Sequence, residues 1–238
     1  MHSAFQLPLA VMKKLLLLVL ALSLPAGSLL AQRALPREEY VTRIESCEAI
    51  LREFMAKPDT AIPQEILRNA RGLVITNQFK AGFILGIKDG YGVVMVKRPD
   101  GSWSLPALVN AGEASIGLQL GGTAVETVFV LMDSETPKLL FNDRFNVGVD
   151  AKAVAGPRAA EATNVNREFL TTPVLVYTKS TGLFAGATVK AGWIQRNDAG
   201  NRTFYQTTYA LPELLYSDWV TPQPEVRPLI DYVSRLSP

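Results

Sequence analysis

Residues 71–109, RGLVITNQFKAGFILGIKDGYGVVMVKRPDGSWSLPALV, decide the fold class. Runs rich in Val, Ile and Phe at 72–76, 82–88, 91–97 and 103–109 are punctuated by turn residues, the pattern of short β-strands. Asp89-Gly90 and Pro99-Asp100-Gly101 read as hairpin turns, because glycine accepts the positive φ that tight turns require.

Downstream, 114–120, 125–132, 145–154, 174–179, 184–194 and 203–208 continue the series. A helical or irregular stretch falls around 137–143, and Asn197-Asp198-Ala199-Gly200-Asn201 reads as a further hairpin. Strands this numerous and this close predict an antiparallel sheet, closed or curled. Glycines inside the strands, at 112, 117, 121 and 122 in one stretch and at 182, 186 and 192 in another, fit the corners such a sheet needs. The other reading of these glycines is close approach of a ligand or a second backbone.

Upstream, 37–56 reads as an amphipathic helix. Tyr40, Ile44, Cys47, Leu51 and Phe54 recur at steps of three and four and share one face. Lys57-Pro58 ends it, because the residue before proline leaves the helical region. A short helix at 63–69 follows, and 211–236 reads as short helices interrupted by Pro222, Pro224 and Pro228. The expected class is therefore α+β: a mainly antiparallel β-barrel or curled sheet, helices at the N-terminal end, and a short helical C-terminal segment.

The first 31 residues read as a signal peptide, with 32–238 as a single domain. Lys13 and Lys14 precede an apolar run at 15–22, and Pro25 and Gly27 break it; this is the three-part export pattern. Cleavage is expected after Ser28 or Ala31, which places the protein in the periplasm or outside the cell, with peripheral membrane association open to it. The apolar run is shorter than the ~20 residues a spanning helix needs.

The chain has 238 residues, 24 basic, 22 acidic, one histidine and one cysteine. Residues 1–31 hold two of the basic residues and no acid, so the remainder carries 22 of each sign. That balance argues against nucleic acid as a partner. His2 is the only histidine and lies in the leader, so the rest of the chain has no His-based catalysis and no His-ligated metal. Gly-Lys-Ser/Thr, GxSxG and GxGxxG are all absent. No catalytic residue, metal site or cofactor is expected. A carboxylate-based enzyme is the alternative, with Asp89, Asp100, Glu113 and Glu126 as its material. Asp89 and Asp100 are accounted for as turn residues. Cys47 lies on the helix's apolar face and reads as a small buried hydrophobe. Trp103, Trp193 and Trp219 read as core residues.

Five landmarks in order resemble the SYLF domain family. They are Arg71-Gly72-Leu73 leading to Lys80-Ala81-Gly82-Phe83, then 99–106 (PDGSWSLP), Ala155-Gly156-Pro157, 182–186 (GLFAG) and Phe204-Tyr205. The resemblance runs from about Tyr40 to about Tyr216. It implies a non-enzymatic lipid-binding module for anionic, phosphoinositide-like head groups, with actin binding in some eukaryotic members. A protein partner is thus the other possibility. Lys80 and Lys179, each beside a landmark, are the expected phosphate contacts, with Arg43 and Arg52 on the first helix as further head-group contacts. That helix interleaves its arginines with Glu38, Glu39, Glu45, Glu48 and Glu53, so it presents no net positive face.

Overall fold

Strand β1 (Gly72–Ala81) stands at the centre of the architecture, flanked by β2 (Leu85–Val96) and β4 (Thr123–Leu131). A computed structural model describes residues 34–81, 85–116, 123–160, 165–180 and 192–238, all in the unit Ala34–Pro238. At 80–81, 85–89, 113–116, 123 and 180 it describes the backbone alone. The remaining strands are β3 (Ala107–Ile116), β5 (Arg144–Asn146), β6 (Ala153–Ala155), β7 (Val174–Ser180) and β8 (Trp193–Arg196). They form one eight-stranded sheet in the order β5-β8-β3-β2-β1-β4-β7-β6, curled into a half-barrel. All neighbours are antiparallel except β6 and β7. The α+β class and the curled antiparallel core are as the sequence predicts.

The turn expected at Asp89-Gly90 does not exist. Strand β2 passes straight through these residues, with Gly90 opposite Gln78 and Asp89 opposite Phe79. A Cβ on Gly90 would lie 2.3 Å from the Asn77 carbonyl oxygen and 2.7 Å from Gln78 Cα. This glycine serves the close approach of two strands. The second expected turn is present. Gly101 has φ +86°, and Asp100 accepts from the Ser102 backbone N–H at 2.9 Å and its hydroxyl at 2.7 Å. Lys97 and Trp103 bridge across it, so regular β3 begins at Ala107 rather than at 103.

Helix α1 (Arg37–Met55) lies across β1 and β2 with Tyr40, Ile44, Cys47, Ile50, Leu51 and Phe54 buried. Each large side chain on that face contributes about 1.5–3 kcal/mol of burial. The Cys47 thiol donates to the Ile75 carbonyl at 3.6 Å, and burial pushes its pKa up to about 12, as suits a packing residue. Short α2 (Gln64–Asn69) follows Pro63.

Two further stretches differ from their sequence reading. The expected strand 145–154 is two three-residue strands around a turn. Gly148 has φ +79° there, and Asp150 accepts from the Asn146 backbone at 2.6 Å. Residues 197–208 are not hairpin and strand but helix α4 (Asp198–Tyr205). Asn197 caps it by accepting from the Gly200 N–H at 2.8 Å, and Phe204 and Tyr205 are buried beneath it. Asn201 then holds the Leu108 backbone with both ends of its amide, accepting from N–H at 2.7 Å and donating to C=O at 3.1 Å. Helices α3 (Arg167–Thr171), α5 (Leu211–Tyr216) and α6 (Arg227–Leu236) complete the described chain, with 3-10 turns at Thr136–Asn142 and Pro224–Val226. The leader expected at 1–31 and the landmarks at Gly82-Phe83 and 182–186 lie outside the described residues, as do the strand residues expected at 117–120 and 184–191.

Candidate binding surface

Strand register builds a polar row on the face that α1 covers. Lys179 of β7 stands opposite Glu126 of β4, Glu126 opposite Asn77 of β1, and Asn77 opposite Tyr91 of β2. The row continues through Asn110 of β3 to Gln195 of β8 and Arg144 of β5. Helix α1 engages this row with its own polar groups. The Tyr91 hydroxyl donates to Ser46 Oγ at 3.1 Å, and Asn77 Nδ2 donates to Tyr91 at 3.3 Å. At the far end Lys179 Nζ lies 2.9 Å from Glu126 and 2.5 Å from Glu53 of α1.

Three of the four expected head-group contacts are thereby placed, and each already has a partner inside the molecule. The Lys179 side chain is only 11% exposed and its ammonium is shared by two carboxylates. Burial draws its pKa down, but the hydrogen bonds and charges of Glu53 and Glu126 outweigh that and leave it raised. The Arg43 guanidinium lies 4.8 Å from the Tyr91 ring centre. Arg52 pairs with Glu48 at 2.7 Å and lies 4.1 Å over the Tyr232 ring. Lys80 pairs through its backbone with Lys88 and Thr123; its side chain lies outside the described residues. The sequence cannot show this pairing, since Glu126 is 53 residues from Lys179 along the chain.

The material for carboxylate chemistry does not assemble among the described residues. Glu126 faces a lysine, and Asp100 is committed to Ser102, whose hydrogen bonds hold its carboxyl below the usual range. The side chains of Asp89 and Glu113 lie outside the described residues. No group of three His, Cys, Asp or Glu there is placed to hold a metal. The phenols of Tyr177 and Tyr205 are pushed up by burial, away from any acid–base role near neutral pH.

Two surface features escaped the sequence reading. The first is aromatic. Trp219 is 64% exposed, not core, and its ring contacts exposed Tyr209 at 5.3 Å between centroids. Exposed Tyr216, three residues before Trp219, packs edge-on against Phe141. Trp103, by contrast, is buried with its indole N–H on the Ser237 carbonyl at 2.9 Å, as expected, and Trp193 is half-buried. The second is electrostatic. Past the Gly72–Val96 pair, the Lys97 N–H donates to the Arg71 carbonyl at 2.9 Å, so two cations stand side by side at the end of the β1–β2 ladder. The signal was present in the sequence, but a turn placed at Asp89-Gly90 gives the wrong register.

A family model described as Ysc84, Las17-binding protein actin regulator, matches residues 112–236. The chain belongs to the Ysc84 family, the one read from the sequence as SYLF. LAS seventeen-binding protein 3 of Saccharomyces cerevisiae is 32% identical over 174 residues, 72% of this chain and 38% of that protein. Protein YSC84 of the same yeast is 32% identical over 191 residues, 76% of this chain and 40% of its own length. The human SH3 domain-containing YSC84-like protein 1 is 30% identical over 183 residues, covering 74% and 52%. The chain thus spans about half or less of the length of these relatives. The family description speaks of binding and regulation, and one of these relatives is named for binding.

Proposed function

We propose that this Ysc84-family chain is an exported, non-catalytic binding module that docks on anionic membrane lipid. The observation that carries this reading is the exposed aromatic pair Trp219 and Tyr209. Such rings join an apolar body to a polar edge and suit the boundary between water and bilayer. Opposite charges balance beyond the leader, so attraction to an anionic surface must be local rather than global. Each cation near such a surface adds about 1 kcal/mol, which makes the contact weak and reversible.

Flotation with phosphatidylcholine vesicles, with and without phosphatidylglycerol, tests the reading. Co-flotation that needs the anionic lipid is expected. It should weaken between about 0.01 M and about 1 M salt, as the screening length falls from roughly 30 to roughly 3 Å. Emission from Trp219 should shift to the blue on binding. A second reading, a protein partner, is favoured by the family description, Las17-binding protein actin regulator, and by the name of the yeast relative LAS seventeen-binding protein 3. Sedimentation with filamentous actin and no flotation at any lipid composition would select it.

A further inference from the structure

We propose that Arg68, Arg71 and Lys97 form the phosphate-recognising site of this membrane contact. The inference rests on the lipid-binding reading above and moves its cationic site to the opposite end of the sheet from Lys179. Three elements meet there: the last turn of α2 carries Arg68, the entry to β1 carries Arg71, and the exit from β2 carries Lys97. The chain's own Ser237 and Pro238 bind them together. Ser237 Oγ donates to the Leu67 carbonyl at 2.5 Å, and its carbonyl accepts from Trp103 at 2.9 Å. Lys97 Nζ donates to a Pro238 oxygen at 2.6 Å.

Like charges side by side on neighbouring strands cost stability. Lys97 registers that cost: partial burial and the adjacent Arg71 charge hold its ammonium below the ordinary lysine pKa. No acidic side chain is paired with Arg68 or Arg71 among the described residues. Among the described residues no ion pair joins Arg68 to Glu65, three residues before it on α2, and Asp100, three residues beyond Lys97, accepts from Ser102. An external phosphate would supply the missing counter-charge. Guanidinium groups suit it because their paired N–H donors match two phosphate oxygens at once.

The test is quantitative flotation of the intact chain with phosphatidylglycerol vesicles at low salt. Arg68→Gln with Arg71→Gln should weaken binding about thirtyfold, from two cations at the contribution each makes near an anionic surface. Arg68→Lys with Arg71→Lys, which keeps both charges but loses the paired N–H donors, should bind between the wild type and the glutamine variant. Arg43→Gln with Arg52→Gln, whose cations already have partners, should change binding less than twofold. Unchanged circular dichroism and thermal midpoint will show that the glutamine variants are folded. If the wild type does not float at all, the lipid reading itself fails. If it floats and the Arg68/Arg71 variant floats equally well, the site assignment is overturned while that reading stands. Binding of soluble glycerol phosphate as tight as binding to vesicles would overturn the membrane as the source of the phosphate.

Discussion

The two ends of this sheet treat basic residues in opposite ways. Under α1, Lys179 is enclosed and its ammonium is divided between Glu126 on the neighbouring strand and Glu53 on the helix. At the other end, Arg71 and Lys97 lie side by side and raise each other's electrostatic cost. The first arrangement ties helix to sheet. The second is held within the molecule only through the Pro238 oxygen that accepts from Lys97, and it leaves the two like charges side by side. A lysine's chemical type therefore says little about its role; what stands within a few ångströms of it says most.

The largest expected effect breaks the tied end. Lys179→Met leaves Glu53 and Glu126 facing one another without their shared cation and should cost about 2 kcal/mol, below the full buried-pair value because both carboxylates reach solvent. Urea unfolding followed by circular dichroism measures it; a loss under half that size would mean the triad is decoration. At the open end, Arg71→Gln should leave stability unchanged or raise it by a few tenths of a kcal/mol, since a like-charge neighbour is removed.

The two lysines should also separate in alkali. Lys179 has a raised pKa when folded, so its contribution is complete below the ordinary value of 10.5 and is lost as pH climbs through the higher folded value. Lys97 has a lowered one, so its cost is present at neutral pH and disappears as pH rises from the folded value toward 10.5. Subtracting the stability curves of Lys97→Met and Lys179→Met from that of the wild type should give slopes of opposite sign. Slopes of one sign would dissolve the contrast. At the tied end Glu53→Gln should cost less than Lys179→Met, because this carboxylate is 54% exposed. A loss of about 0.2–1 kcal/mol is expected in the same urea titration.

Much of the fold was legible because its signals are periodic. The face of α1 follows from residues three and four apart, and those residues are the buried ones. Punctuation was less reliable. Asp-Gly serves a tight turn and a tight strand crossing equally, and only the position of β1 above Gly90 separates the two. Asn197 likewise suits a turn or a helix cap, and the choice was settled by Phe204 and Tyr205, which find a core if the segment coils. The candidate site was less legible still. Whether a cation is free depends on partners distant in sequence, as Glu126 is for Lys179. One misplaced turn was enough to hide the pairing of Arg71 with Lys97.

The amide of Asn201 has a consequence for how this molecule behaves in a crowd. Strand β8 pairs with β3 only from Val109 to Gly112, and at Leu108 the Asn197 N–H meets the carbonyl alone, at 3.1 Å, so without Asn201 the Leu108 N–H would stand bare to any passing strand. Asn201 fills both hydrogen-bonding positions of that step with a side chain, imitating a peptide unit that cannot be extended. A growing stack of sheets finds no template there, because the position is satisfied and α4 stands behind it. The helix that the sequence concealed is thus a stopper against self-templated polymerisation, a hazard for a protein built on one long curled sheet.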